Sequence, residues 1–318
     1  MKDLSLMDKI FINIAAYRDP LLIRTLKQAY EKAHNPESLV FALGMQYEEA
    51  IYPDLSFIPK DQIHAIKYDI PSRPGVARIR YEITQSAFSN EKYFLMIDSH
   101  MTFQNGWDTW LKESLNNLGP KSIISGLGEI HDGHITISNC EVIQGHTELA
   151  LNRVENRIPI KPEEHGSFFK FPYIACGFMF TYGSFVYDVG FDEYSQADGE
   201  EIYLTWRAFM CGWDVYQTSK WVINHSPEIY FDIAWGGEDK RSYTRYGTEA
   251  RFKPYMNMLR SIAYVYNDMS MYAVKNATRK PEEWFIACGY TKSDYQTILR
   301  YYDNLIHNNL TERDILII

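Results

Sequence analysis

Cysteine is scarce in this chain of 318 residues: Cys140, Cys176, Cys211 and Cys288 are the four, and no two form a C-x-x-C pair. That excludes a disulfide miniprotein, a thiolate zinc knuckle and a dithiol redox centre, and the four read as buried thiols of a reducing compartment. Positive charge is in deficit as well. Lys plus Arg number 32 against 41 Asp plus Glu, and the resulting net charge of −9 opposes broad contact with nucleic acid or an anionic membrane, leaving only a local basic groove. Long apolar runs are missing. The longest uncharged stretch, residues 171–187, contains Pro172, Gly177 and Gly183 and reads as buried strand and turn rather than a membrane span. Near the start, Asp8 and Lys9 precede a short apolar run that already contains Asn13, so no signal-peptide core is read and the cytoplasm is the expected compartment. The sequons at Asn276 and Asn309 carry little weight there.

What is present describes a folded domain: 46% hydrophobic and 23% charged residues exclude wholesale disorder. Aromatic residues reach 15%, with 24 Tyr and 7 Trp, a supply suited to clefts that stack flat rings or sugar faces. Residues 10–15 form a β-rich apolar run, after which Asp19-Pro20 supplies an N-cap and a first helical position. Leu22, Leu26, Ala29, Tyr30 and Ala33 then share one helical face, and Asn35-Pro36 stops it. Strands are expected at 39–45 and 63–70, a helix from Pro74 carrying Val76, Ile79, Ile83 and Ala87, and a short apolar strand at 93–97.

Strands alternating with helices predict an α/β sheet with parallel members, whose ligands bind at the carboxyl ends of the strands. Further on the pattern predicts a helix at 107–118, strands at 123–126 and 173–181, a helix at 200–210, and short strands at 213–217 and 221–224. Residues 144–166 read as a polar loop long enough to be a lid. Helices are expected near 249–266, 281–287 and 292–307, so the chain divides into a catalytic-type α/β domain over 1–230 and a mainly helical extension over 231–318 packed on it.

The strongest chemical signal is Asp98-Ser99-His100, directly after the apolar YFLMI. In extended backbone residues i and i+2 point the same way, so this carboxylate and imidazole can share one divalent ion at a strand's carboxyl end. An Asp turn cap beside a surface histidine is the plain alternative for three residues alone. His225, ending another short strand, is a candidate third ligand. An Asp-His-His set without thiolates suits manganese or magnesium, with positions left for the oxygens of a diphosphate. Glu200 and Glu201 open a helix after the acidic FDEYSQAD; favourable charge at a helix start explains them, and so does one carboxylate in a cleft, holding sugar hydroxyls or an acceptor. Only one of them is expected to face a cleft, since adjacent helical residues diverge by about 100°. Ala15, Ala16, Tyr17 and Arg18 follow the first strand, where small residues admit a ligand to the backbone and Tyr17 can pack on a base. Arg78, about one turn into its helix, can pair with phosphate.

The stretches IFINIAAYRDP, PGVAR, YFLMIDSHMTFQNGWD and GEEIYLTWRAFMCGWDVYQTSKWVINH resemble, in order, successive motifs of the GlcNAc-transferase family to which Skp1-type cytoplasmic polypeptide α-N-acetylglucosaminyltransferases belong. MYAVKNATRKPEEWFIACGY is similar to a short motif near that family's end. The resemblance implies a GT-A fold, a UDP-sugar donor (GlcNAc the expected sugar), a divalent metal and retention at the anomeric carbon. It also implies Asp98 and His100 as the D-x-H metal pair, His225 as the distal ligand, and Glu200 or Glu201 as the carboxylate near donor and acceptor. Ala197-Asp198 and Arg73 depart from the family pattern, which leaves the acceptor hydroxyl open: on a protein, a glycan, a small molecule or a modified DNA base. Two other classes fit parts of the sequence. A metal-dependent phosphoesterase or nucleotide hydrolase also uses D-x-H, but its later Gly-Asp and G-H-x-H ligands are missing; a non-catalytic nucleotide-sugar-binding module needs only the cleft.

Overall fold

The computed structural model describes residues 8–47, 52–69, 75–126, 130–131, 134–144, 149–159, 166–191, 200–226 and 274–296. Strand β1 (Ile10–Tyr17) is the apolar run at the start; α1 (Leu22–Glu31), β2 (Leu39–Gln46), β3 (Ile63–Tyr68), α2 (Val76–Ala87) and β4 (Tyr93–Asp98) follow in the alternation the sequence predicts. Next come β5 (Met101–Phe103), α3 (Trp107–Leu118), β6 (Ser122–Ser125), β7 (Ile130–His131), β8 (His134–Gln144), β9 (Leu149–Pro159), β10 (Phe168–Lys170) and β11 (Phe178–Tyr182). The last elements are α4 (Phe185–Asp188), α5 (Glu200–Met210), β12 (Asp214–Thr218), β13 (Ile223–His225) and α6 (Pro281–Ala287).

Eight strands form one sheet in the order β10-β12-β6-β11-β4-β1-β2-β3. β4, β1, β2 and β3 run parallel, β11 runs antiparallel to both β4 and β6, and β12 rejoins parallel to β6. Side-chain alternation divides the core between the two faces. Ile10, Ile12 and Ile14 with Leu95 and Ile97 pack against Leu22, Leu26 and Ala29 of α1 and Trp107, Leu111 and Leu115 of α3. Phe11, Phe94 and Met96 pack against Ile79 and Ile83 of α2 and Leu204 and Ala208 of α5 on the other. Each such aliphatic side chain, wholly buried, contributes about 1.5–3 kcal/mol, so the three layers are held from both sides.

One polar residue interrupts this pattern inside β1. Asn13 is fully buried, and its amide donates to the Arg80 carbonyl at 2.9 Å and to Thr84 Oγ1 at 2.7 Å, which pins α2 to the strand. Gly44 permits that close approach, because a Cβ there would stand 2.0 Å from the Ile79 methyl. Both contacts set where the first turns of α2 lie above the carboxyl ends of β1 and β4.

Several boundaries differ from the sequence expectation. The first helix starts at Leu22 rather than Pro20, and its N-cap position is Leu21, which offers no side-chain cap; Asp19 is not the N-cap but accepts from the Leu21 N–H at 2.8 Å in the turn before the helix. Of the strand expected at 173–181, residues 173–177 are not strand; the observed one is Phe178–Tyr182. Within the expected lid over 144–166, residues 149–159 form a strand, β9, which pairs antiparallel with β8 from Gln144↔Leu149 to His134↔Pro159; residues 145–148 and 160–165 lie outside the described residues. With β7 these strands make a three-stranded antiparallel sheet held by backbone hydrogen bonds, which a mainly polar composition does not reveal. The helix expected near 249–266 lies outside the described residues, as do Pro74 and the acidic residues Asp192, Glu193 and Asp198. Of that expected at 292–307, residues 292–296 are helical and the rest lie outside the description. α6 buries Trp284 and Phe285, and the segment before it is tied to α5 and β12 through Thr278 N–H to the Met210 carbonyl and an Arg279–Asp214 ion pair at 2.8 Å. No helix among the described residues is long and apolar enough to cross a membrane.

Candidate metal centre

Asp98 is the last residue of β4, and in register it stands beside Ala15 of β1. The turn that follows is gripped by α1: buried Thr25 donates from Oγ1 to the Ser99 carbonyl at 2.8 Å and accepts from the Met101 N–H at 2.9 Å. Gln28 accepts from the Phe103 N–H at 3.0 Å, so β5 is held in place one turn further along the helix. β13 pairs antiparallel with β5, with His225 opposite Met101, and the Ser226 N–H donates to the His100 carbonyl at 3.1 Å. His225 therefore arrives on a two-stranded ribbon separate from the eight-stranded sheet that carries Asp98.

The outcome is a convergence of three ligand-type atoms. His100 Nε2 lies 2.9 Å from His225 Nε2, and His225 Nε2 lies 3.2 Å from Asp98 Oδ2. One ligand atom from each of Asp98, His100 and His225 falls within 4.8 Å of the others. Two ligands at right angles about a cation with bonds of roughly 2.1 Å stand about 3.0 Å apart, so both short separations suit neighbouring positions on one ion. One carboxylate oxygen and two imidazole nitrogens are a donor set for a divalent cation of the manganese or magnesium kind with further positions open. These residues thus fit the metal expected of them.

The surroundings are charged and buried. Arg80, 2% exposed, spans two carboxylates: Nη2 reaches Asp98 Oδ1 at 2.8 Å and Nη1 reaches Glu200 Oε1 at 3.0 Å. Burial works against its charge, but Glu200 and then Asp98 outweigh that and hold the guanidinium pKa above its ordinary value. For Asp98 burial favours the neutral acid, yet the His225 hydrogen bond, the Arg80 charge and both imidazoles prevail and hold its pKa at about 2. Glu200 goes the other way, since burial raises its pKa and Arg80 only partly compensates. A carboxyl depressed by folding contributes stability that is full above its unfolded pKa and lost as the pH falls through its folded one. The wild-type urea midpoint is accordingly expected to fall more steeply than that of Asp98→Asn as the pH drops from 3.8 to about 2; parallel acid limbs would contradict it.

The other expected site residues separate. Glu201 accepts from Tyr173 Oη and from the Cys176 N–H, each at 2.9 Å, and so shapes the segment entering β11, whereas Glu200 belongs to the Arg80–Asp98 network. Ala15 stands in register between Gly44 and Asp98, with Ala16 and Tyr17 next to it on β1. Arg18 adopts φ +49°, donates its N–H to the Gln46 carbonyl at 2.9 Å and lays its guanidinium 5.5 Å from the Tyr17 ring centroid. Arg78 is half-exposed and pairs with Glu82 at 2.6 Å along α2. Arg80, Asp19 and Asn13 were not among the expected site residues. A charged residue at helical spacing with Val76, Ile83 and Thr84, and an amide inside an apolar strand, are the signals that point to two of them.

The family model described as Glycosyltransferase (GlcNAc) matches residues 54–305. No curated protein matches the chain. Among solved structures the chain is similar to GalNAc-T7 with UDP, GalNAc and Mn2+, at TM-score 0.54 and 15% identity, over 94% of this chain and 58% of that one. The chain thus spans little more than half the length of that neighbour, and the likeness speaks for the fold: a large mixed sheet flanked by helices, of the GT-A type.

Proposed function

The chain belongs to the GlcNAc glycosyltransferase family, and from that premise we propose that it transfers a sugar, GlcNAc, from a UDP-sugar to an acceptor hydroxyl with retention, at the carboxyl edge of β1 and β4. The observation that carries this reading is the Asp98–His100–His225 convergence at that edge. A divalent cation held there would neutralise the diphosphate as it leaves. The small Ala15 leaves the backbone approachable beside Asp98, and Tyr17 and Tyr68 flank Gln46 in register across β1, β2 and β3. Gln46 is 4% exposed and its amide nitrogen has no hydrogen-bond partner among the described residues, a donor left over for a carbonyl on the base. Arg78 is retained in the proposal as a diphosphate contact at the mouth of the cleft.

Of the acidic pair, Glu200 is the carboxylate assigned to donor and acceptor, through its place beside Arg80 and Asp98, and Glu201 is assigned to supporting the Tyr173–Cys176 segment. Glu200→Gln is expected to lower turnover about 100-fold, the scale of a lost charge-stabilising or proton-accepting group. Glu201→Gln is expected to cost stability, on the order of 1.5–3 kcal/mol for hydrogen bonds to a charged acceptor, with a much smaller change in turnover. Steady-state kinetics and urea unfolding of the two variants decide it; equal turnover losses would remove the division of labour.

The reading as a whole is tested by measuring nucleotide release from a panel of UDP-sugars, with manganese and with excess chelator. UDP-GlcNAc is expected to give the fastest metal-dependent release. Binding without release from any donor would make the chain a nucleotide-sugar-binding module, and cleavage of simple phosphoesters instead would make it a phosphoesterase. The acceptor is sought among proteins, glycans, small molecules and modified DNA bases once the donor is known.

A further inference from the structure

We propose that Asp19 is a positioning residue for this centre, a carboxylate that clamps His100 through Nδ1 and so presents Nε2 to the metal; the inference rests on the metal reading above. Asp19 follows β1 in a turn, 2% exposed, and its backbone carbonyl is fixed by the Tyr47 hydroxyl at 2.7 Å. Oδ1 accepts from the Leu21 N–H and so closes the turn that leads into α1. Oδ2 is committed elsewhere. It faces His100 Nδ1 at 2.8 Å and also accepts the Ser99 hydroxyl, so both residues after Asp98 in the D-S-H turn are tied to one oxygen.

The chemistry follows from which ring nitrogen is engaged. With Nδ1–H donating to a carboxylate, the lone pair of the neutral imidazole sits on Nε2, and Nε2 is the atom that lies 2.9 Å from His225 Nε2. The carboxylate also fixes the ring plane, which a histidine on a turn would otherwise leave free, and it makes the opposite nitrogen a better electron donor. The two histidines are placed by different devices: His225 by the β5–β13 ladder, His100 by Asp19. Each of the three partners of the Asp19 side chain described here is a donor, so an amide in its place must turn its NH2 towards one of them.

The test is a titration of manganese(II) in saturating UDP, followed by the electron paramagnetic resonance signal of the free ion. Asp19→Asn is expected to weaken manganese binding about 10–100-fold, the usual range for an outer partner of a ligating histidine. In the His100→Ala background the same substitution is expected to change affinity less than about 2-fold, because its route to the metal is gone. Asp19→Ser, which keeps an oxygen for the Leu21 N–H but does not reach His100, guards against a folding defect and is expected to behave as Asp19→Asn. Unchanged affinity in these variants, or an equal loss with and without His100, would overturn the proposal and leave Asp19 a residue that closes the turn before α1. A wild-type protein that binds no manganese would instead overturn the metal reading itself, and the proposal with it.

Discussion

Arg80→Met is expected to destabilise the protein by about 3–5 kcal/mol, the cost of removing one partner from a buried ionic network. The guanidinium lies between Asp98 and Glu200 with almost no access to water, and methionine keeps the length of its stem but none of its charge. Two carboxylates would then remain in a poorly hydrated space with nothing between them. Glu200 has the weaker hold on its charge, since burial already raises its pKa, so it is the one expected to take up a proton. Adding Glu200→Gln to Arg80→Met is therefore expected to restore part of the lost stability, and urea unfolding of the wild type, both single variants and the double variant measures it. A single-variant loss below about 1 kcal/mol would mean that the network is hydrated in solution and that Arg80 is dispensable to the fold.

The second large effect is on activity. Asp98→Asn is expected to lower manganese-dependent UDP release by about 100- to 1000-fold, since a metal stabilising a leaving group is worth several kcal/mol and each 1.36 kcal/mol is tenfold. The amide preserves shape but has no charge to set against the cation, and it presents an NH2 group either to the Arg80 guanidinium or to the side where Oδ2 faces His225. The wild-type rate in excess chelator is expected to fall to a similar level. Retention of more than about a tenth of the wild-type rate by Asp98→Asn would remove this carboxylate from the centre.

The β-α alternation through β4 was readable because fully buried parallel strands leave continuous apolar runs, as in residues 10–15, and one-sided helices leave a 3.6-residue period, as in the Leu22, Leu26, Ala29 stripe. The hairpin of β8 and β9 was not, because its backbone ladder imposes no matching apolar period on the residues that form it. Within the site, Asp98 and His100 were legible from the two-residue period of extended backbone, and His225 from its place at a strand end. Arg80 was passed over in favour of Arg78, although Arg80 is the arginine at helical spacing with Ile83 and Thr84, where a charge has to find a buried partner. Asp19 was passed over for a different reason. An Asp before a Pro at a helix start reads as a local cap, and such a local rule leaves nothing over to suggest the contacts with Ser99 and His100, about 80 positions away.

That His225 comes in on the β5–β13 ribbon has a kinetic meaning. His100 and His225 are 125 residues apart in the chain, and closing a loop of that size costs about 4 kcal/mol in chain entropy. The three register pairs of the ribbon and the Ser226–His100 hydrogen bond are long-range contacts that offset this cost where the ligands converge. The first β-α units, built from near neighbours in sequence, can form beforehand, whereas the complete ligand set exists only once the chain has returned from β12 to β5. A nascent chain carries Asp98 and His100 well before His225, so the three side chains can converge only after the residues around 225 have left the exit tunnel.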